Sequence, residues 1–330
     1  MTKREAVFAA VNHQNPGYVP WQLDLTEGMA EVLKRYFGKA DFLYSCAGNH
    51  LVREKNKKHV RLDEFHHRDL FGVVWKKEAG GDIGVVERYP LADDDPYDFP
   101  VPDTEMIRGK CRAMAAEHPG LFRVFELSFS YFERAWSLRG MENVLMDMAS
   151  DSGRLEEILD RLLQYNLEVI DIAVAEDIDA VMFGDDWASQ SGLMMGPVLW
   201  RRFIKPGMSK MFDRARLSGK HIILHSCGNA LEIMDDLVDM GLNIYNTFQP
   251  EVYDMQDFKR RYGDRITVYG GVSTQGALFH GTPAAVREET LRTMEIMARN
   301  GGYIAAPTHQ IPMGTPVGNV LAFLEAVKGL

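Results

Sequence analysis

The feature of this sequence that most constrains its fold is a regular alternation, from about residue 120 onward, between short apolar runs and helical stretches. The runs are residues 121–128, 179–186, 221–227, 243–248, 266–272 and 303–309. They show little alternation of apolar and polar side chains, which is typical of strands buried on both faces of a parallel sheet. Because parallel neighbours need long crossover connections, the amphipathic stretches between the runs predict helices and therefore an α/β fold.

Start and stop signals mark several of these helices. Thr282 followed by Pro283 predicts a helix start, and Asn229 and Gly241 predict the N-cap and the end of a second helix. The stretch 142–177 predicts two further helices, and the stretch 197–219 predicts another. Repeated strand-then-helix units of this length indicate right-handed crossovers and a parallel sheet.

The number of strands favours a closed barrel over an open sheet. An apolar run at 19–25 and one or two strands between residues 40 and 75 bring the count to about eight, and no G-x-G-x-x-G follows a strand. We therefore predict a single (β/α)₈ TIM-barrel domain over residues 1–330. Residues 71–91 predict a hairpin turning at Gly80 and Gly81, and with the acidic, proline-rich connection that follows they form an insertion at about 60–103.

Charge and composition exclude several classes of protein. The net charge is -10, and the short basic segment REKNKKH (53–59) predicts a solvated helix face or loop, so a nucleic-acid partner is excluded. No apolar run approaches the roughly 18 residues of a membrane span, and no signal peptide is visible. The three cysteines are widely spaced and predict no disulfide framework. A cytoplasmic setting follows as the expectation.

Polar residues collect where the predicted strands end. They are Glu126, Ser128, Asp185, Asp186, Gln190, His225, Cys227, Asn246, Gln249, Glu251, Ser273, Thr274, Gln275, Thr308, His309 and Gln310. In a barrel the carboxyl ends of all strands open at one mouth, where active sites lie. The sequence therefore predicts a small-molecule site built from these residues.

His225 and Cys227 have the spacing of two metal ligands. Residues two apart in a strand point to the same side, about 7 Å apart at Cα, so their side chains can converge on one ion. The alternative is a buried cysteine beside a histidine that bonds a neighbouring carbonyl. Spacing alone leaves both interpretations open.

Other residues at the strand ends also have two interpretations. Asp185 and Asp186 can supply a metal ligand, a general base or an orienting partner, or can cap the next helix. Trp187 can line the wall of an aromatic substrate pocket or pack in the core. Gln249 and Gln275 suit hydrogen bonds to a neutral polar ligand, or can solvate loops.

The segments GDDWASQSG (184–192), HSCGN (225–229) and GGVSTQ (270–275) resemble the uroporphyrinogen decarboxylase superfamily, in the branch that contains corrinoid-linked methyltransferases. The resemblance covers nearly the whole chain and implies a (β/α)₈ barrel with a deep active-site cleft. It also implies a zinc ion on His225 and Cys227. The third ligand of the branch is a cysteine in an A-P-C-H-like stretch, where this chain reads APTH with Thr308.

A threonine hydroxyl is a poor zinc ligand because it stays protonated near neutral pH. Another group must then complete the shell if the metal is kept. The candidates are His309, Asp186, Asp185 and Glu126.

The decarboxylases proper resemble this chain less closely. Their arginine-rich R-Q-A-G-R-Y segment, which holds substrate carboxylates, is replaced by VPWQLDLTEGM (19–29), and their F-S-D-I-L stretch is missing. A tetrapyrrole that carries many carboxylates needs several cationic donors, and few are expected near the mouth. Decarboxylation of such a substrate is therefore disfavoured.

Three functional hypotheses follow from the resemblance. The first is a zinc-assisted methyltransferase that moves a methyl group between a small thiol or methyl-ether substrate and a corrinoid held by a partner protein. The second is a metal-free decarboxylase of a pyrrolic or aromatic acid, and the third is a corrinoid- or porphyrin-binding protein. The family also suggests a homodimer.

The sequence assigns roles to ten residues. The assigned catalytic residues are Asp185, Asp186 and His309; the substrate-binding residues are Glu126, Trp187, Gln249, Gln275 and Thr308; the metal ligands are His225 and Cys227.

Overall fold

A computed structural model describes residues 1–77, 84–93, 96–150 and 152–330. Its strands are β1 Leu51–Lys55, β2 Val60–Arg61, β3 His66–Arg68, β4 Val74–Lys76, β5 Val85–Arg88, β6 Phe122–Leu127, β7 Ala180–Gly184, β8 Ala188–Ser189, β9 Gly192–Leu193, β10 His221–His225, β11 Ile244–Phe248, β12 Thr267–Val272 and β13 Tyr303–Pro307. Its helices are α1 Lys3–Val11, α2 Glu27–Phe37, α3 Phe42–Ser45, α4 Thr104–Glu117, α5 Phe132–Arg139, α6 Met141–Ser150, α7 Arg154–Val174, α8 Gly196–Leu199, α9 Lys205–Leu217, α10 Met234–Asp239, α11 Met255–Tyr262, α12 Ala277–His280, α13 Pro283–Met297 and α14 Val317–Lys328. A π-helical turn, Trp200–Ile204, joins α8 to α9, and a 3₁₀ turn, Leu231–Ile233, precedes α10.

The chain divides into two compact units. The terminal unit contains residues 1–52, 118–122 and 243–330, and the central unit contains residues 53–117 and 123–242. The single-domain assignment for residues 1–330 stays a prediction. None of the helices in the described part of the chain has the length and apolar character to cross a membrane.

Strands β6, β7 and β10 of the central unit run parallel to one another. Glu126 is in register with Met182, and His225 is in register with Gly184. Phe183 of β7 packs on Phe212 of α9 with ring centroids 5.0 Å apart. Because successive residues of a strand point to opposite faces, its neighbours Met182 and Gly184 face away from α9. Glu126 and His225 therefore lie on the sheet face that points away from α9.

The predicted hairpin insertion is an antiparallel sheet in the order β2-β3-β4-β5. Its inner residue Trp75 packs on Phe129, which follows β6, with ring centroids 5.2 Å apart. Arg134 of α5 anchors the sheet further, because it pairs with Asp69 at 2.6 Å and stacks on the ring of Phe71. The predicted turn at Gly80 and Gly81 lies outside the described residues.

Strands β11, β12 and β13 of the terminal unit are also parallel. The predicted strand at 19–25 is wrong as a continuous strand, because the segment makes two separate parallel bridges, Trp21 with Ala305 and Leu25 with Ile311. Pro20 lacks the N–H group that would continue the ladder at its start.

The strands predicted from residue 120 onward are confirmed within two residues, and the helix start at Thr282 is confirmed. The N-cap predicted at Asn229 was wrong, because a 3₁₀ turn follows it and α10 begins only at Met234. The π turn interrupts the helix predicted at 197–219.

The prediction for the basic segment 53–59 was wrong in its first half. Residues 53–55 complete strand β1 instead of forming a solvated helix or loop. The side chain of Arg53 is only 15% exposed, because it lies against the Glu126 carboxylate. Strand geometry places Arg53 and Lys55 on one side, where both reach Glu126.

Candidate metal centre

His225 ends strand β10, and Cys227 follows two residues later. Both side chains are half-buried, and the distance from His225 Nε2 to Cys227 Sγ is 3.9 Å. Two ligands of a tetrahedral zinc ion, with Zn–N near 2.1 Å and Zn–S near 2.3 Å, have donor atoms about 3.6 Å apart. An imidazole nitrogen and a sulfur at this separation fit a shared ion, so the pair is a candidate for two ligands of a metal site.

The loop after β7 lies against the end of β10. The Asp185 N–H donates to the carbonyl of His225 at 3.0 Å, and the Cys227 N–H donates to Asp186 Oδ1 at 2.7 Å. The predicted residues Asp185 and Asp186 are therefore brought together with His225 and Cys227 in the central unit.

Asp185 is fully buried and caps helix α5. Its carboxylate accepts the N–H groups of Tyr131, Phe132 and Glu133 at 3.3, 3.0 and 2.8 Å. It also accepts the indole N–H of Trp187 at 2.6 Å. Burial raises the pKa of Asp185 to about 6, although these hydrogen bonds oppose the shift. These contacts favour the helix-capping interpretation of this aspartate.

Trp187 is fully buried. Its ring packs edge-on against Trp200, with centroids 5.3 Å apart, and its N–H group is bonded to Asp185. These contacts favour the packing interpretation of this tryptophan over contact with a substrate.

Glu133 is a residue that sequence reasoning missed. Burial and the nearby carboxylates of Asp186 and Asp185 raise the pKa of Glu133 well above its usual value. Its neutral form is therefore favoured more strongly than that of an ordinary exposed glutamate. Nothing in the segment FERAW (132–136) signals this, because the burial of Glu133 and its approach to Asp186 and Asp185 arise only when the chain folds.

Glu126 carries the opposite electrostatic character. Burial alone would raise its pKa, but Lys55 at 3.0 Å, Arg53 at 4.0 Å and the hydroxyl of Ser128 at 2.6 Å lower it to about 2. The carboxylate is therefore ionised and paired at the end of β6. The sequence analysis did not place Arg53 and Lys55 beside Glu126. Their alternate positions directly after the apolar pair Leu51 and Val52 are nevertheless typical of a strand.

In the terminal unit, Thr308 is buried and engaged. It is 2% exposed, and its hydroxyl pairs with the hydroxyl of Thr274 at 2.8 Å and accepts the Thr274 N–H at 3.1 Å. His309, the next residue, is half-buried. Gln249 is buried and Gln275 is exposed. The substrate-binding roles of Thr308, Gln249 and Gln275 stay predictions.

Comparison with known proteins places the chain in a family. The family model described as uroporphyrinogen decarboxylase (URO-D) matches residues 84–330, which is most of the chain. The chain belongs to the URO-D family. This confirms the resemblance found in the sequence.

Curated relatives in the URO-D family are distant. Uroporphyrinogen decarboxylase 2, chloroplastic, of Oryza sativa subsp. japonica is 24% identical over 203 residues, covering 61% of this chain and 50% of the relative. Uroporphyrinogen decarboxylase of Hordeum vulgare is 23% identical over 227 residues, covering 68% of this chain and 66% of the relative. The matched regions thus span between half and two thirds of the length of these relatives.

Solved structures with the same fold include two methyl-transferring proteins. A methyltransferase from Methanosarcina mazei has a TM-score of 0.75 and 20% identity, and the match covers 100% of this chain and 99% of that one. A B12-independent methionine synthase from Shewanella sp. W3-18-1 has a TM-score of 0.51 and 10% identity, covering 94% and 97%. At these identities the likeness shows the fold alone, and it confirms the predicted α/β fold of the TIM-barrel type.

Proposed function

We propose that this protein is a zinc-assisted methyltransferase of the URO-D family. It would move a methyl group between a small thiol or methyl-ether substrate and a corrinoid held by a partner protein. The observation that carries the proposal is the separation of 3.9 Å between His225 Nε2 and Cys227 Sγ, which suits two ligands of one ion. The shared fold with a methyltransferase is consistent with it.

We take His309 as the third ligand. Thr308 is unsuited because its hydroxyl is already bonded to Thr274 and because a neutral hydroxyl binds zinc poorly. His309 offers an imidazole, which is an ordinary zinc ligand, and it is one of the candidates named from the sequence. Three protein ligands with an open fourth position are the arrangement of a catalytic zinc, and His225, Cys227 and His309 would supply three.

The residues of the chain have separate tasks in this proposal. Zinc, when bound, supplies Lewis-acid activation of the substrate thiol or ether oxygen. Glu133, whose pKa is raised by burial and by nearby carboxylates, is the candidate proton donor to a departing group. Lys55, whose side chain is 39% exposed, can orient an anionic or polar part of the substrate while it stays paired with Glu126.

Elemental analysis of gently purified protein tests the metal assignment. We expect about one equivalent of zinc per chain, and its loss in Cys227→Ser and His225→Ala. Cys46→Ser is the matched control, since Cys46 is also a half-exposed free cysteine and lies in the terminal unit. Less than about a tenth of an equivalent in the wild type, with no uptake on titration, would refute the proposal.

A metal-free decarboxylase is the second candidate. It is favoured by the names of the curated relatives and by the cations Arg53 and Lys55 at the end of β1, which could hold a substrate carboxylate. In this case the proton would come from Glu133 or Asp185, whose carboxyl groups have raised pKa values. Carbon dioxide release that survives both a chelator and Cys227→Ala would favour this candidate over the methyltransferase.

A further inference from the structure

The backbone at Cys227 is held in an unusual way. Strand β10 ends at His225, so the Cys227 N–H lies beyond the sheet ladder. It donates instead to a side chain, Asp186 Oδ1, at 2.7 Å. A hydrogen bond from an N–H group to an ionised acceptor is shorter and stronger than one between neutral groups.

The neighbouring residues close the same loop. The Asp185 N–H holds the His225 carbonyl, and the Asn229 N–H donates to the Ser189 carbonyl at 2.8 Å. Gly228, with φ +80°, makes the turn between them. Cys227 therefore lies between two backbone hydrogen bonds, one at His225 and one at Asn229. The amide of Cys227 itself is held by the carboxylate of Asp186.

The two adjacent aspartates have different partners. Asp185 accepts three N–H groups at the start of α5 and the indole of Trp187, so its carboxylate is committed to holding that helix. Asp186 is half-buried, and its side chain accepts the N–H group of Cys227. Asp185 therefore fits a purely structural role better than Asp186 does.

We infer that Asp186 is the positioning residue of Cys227: it fixes the backbone so that Sγ stands beside Nε2 of His225, and it is not itself a ligand. The inference rests on the proposed metal site. A carboxylate that orients a ligand from outside the coordination shell changes metal affinity by about 10- to 100-fold when it is removed.

The test uses the full-length protein and Co²⁺ as the probe. Asp186→Ala removes the acceptor, and Asp186→Asn keeps its size and a weaker, neutral acceptor. We expect Co²⁺ affinity, measured by chelator competition, to fall about 10- to 100-fold in Asp186→Ala and by less in Asp186→Asn. The sulfur-to-cobalt charge-transfer absorption should also weaken or shift, because the geometry of the thiolate changes.

Two further measurements separate positioning from a general loss of structure. In metal-free protein, the peptide that contains Cys227 should exchange its amide hydrogens faster in Asp186→Ala, while the melting temperature stays close to that of the wild type. Asp171→Asn is the matched control, because it removes a half-exposed carboxylate charge, paired with Arg214, from the same unit. It should leave affinity, spectrum and exchange unchanged.

Each outcome decides a different question. If the wild type binds Co²⁺ and Asp186→Ala binds it equally well with the same spectrum, the positioning role is wrong and the proposed function stands. If Asp186→Ala loses affinity only together with a large fall in melting temperature, while Asp186→Asn behaves as the wild type in every readout, the role is structural and the inference is wrong. If the wild type binds no metal, the proposed function fails and this inference fails with it.

Discussion

Gly228 shows how a single residue shapes the candidate site. It follows Cys227 directly, and its backbone has φ +80°, a conformation that side chains with a Cβ rarely adopt. A Cβ at this position would lie 2.3 Å from the carbonyl oxygen of Ala188 and 2.6 Å from that of Ser189. The absence of a side chain thus lets the loops after β7 and β10 touch.

Gly228→Ala should therefore lower the free energy of unfolding more than the same substitution at another glycine with a positive φ. Gly219 is the control, since it has φ +74° and a Cβ there would meet nothing within 4 Å. Both variants bear the backbone strain of about 1 kcal/mol, but only Gly228→Ala has the clash, for which we expect about 2 kcal/mol more. Urea unfolding measures both free energies, and equal losses would contradict the expectation.

The sequence analysis identified candidate site residues that lie close together in the chain. His225 and Cys227 lie within three residues of each other, and their common direction follows from strand geometry. Glu133 was missed because its pKa depends on Asp185 and Asp186, which only folding brings beside it. Local spacing identifies candidate ligands, whereas the pKa of a buried carboxyl group depends on groups that are distant in the sequence.

Helix α5 is the element that depends most directly on the strand-end aspartates. Its first N–H groups have no partners within the helix, and Asp185, at the end of β7, accepts three of them. This contact ties the start of α5 to the segment that carries Asp186. The position of a helix and the geometry of the candidate site are therefore linked.

Asp185→Ala should cost about 3 kcal/mol or more, because it leaves buried N–H groups and the Trp187 indole without an acceptor. Thr282→Ala at the start of α13 is the comparison, since it removes one exposed cap bond of 3.2 Å and should cost about 1 kcal/mol. Chemical denaturation of both variants gives the two values. Similar losses would mean that Asp185 acts as an ordinary cap.

At the level of elements, most of the fold could be predicted from the sequence. The apolar runs from residue 120 onward are long enough to identify strands, because buried strands need apolar residues on both faces. Strand β1 lies in the region 40–75 where a strand was predicted, but its last three residues were taken for a solvated helix or loop because Arg53 and Lys55 give it a polar end. Both cations are tolerated in a strand because each lies beside the Glu126 carboxylate of β6, and no local rule anticipates that pairing.

The stability of the whole molecule should respond to acid through Glu126. Its pKa in the folded protein, about 2, lies below that of an unfolded glutamate near about 4.3. Its ionised form therefore stabilises the fold fully above about pH 5, and this contribution disappears as the pH falls towards 2. Acid unfolding of the protein should include this carboxyl group among its causes.

Comparison with Glu126→Gln isolates the effect. The wild type should exceed this variant in free energy of unfolding at pH 6, and the difference should shrink by about 2 kcal/mol by pH 3. Denaturant titrations at several pH values measure it. A difference that does not change with pH would show that folding does not change the pKa of Glu126, and would contradict the prediction.

The hydrogen bond between the hydroxyls of Thr308 and Thr274 bears on the charge of the proposed ion, because it leaves Cys227 as the one thiolate among the proposed ligands. A dication that is bound by two thiolates is electrically neutral, whereas one that is bound by a single thiolate and neutral imidazoles keeps one positive charge. Such a centre withdraws electrons more strongly from whatever atom takes its open position. An ion with Cys227 as its one thiolate would thus favour harder oxygen donors more than an ion held by two thiolates would.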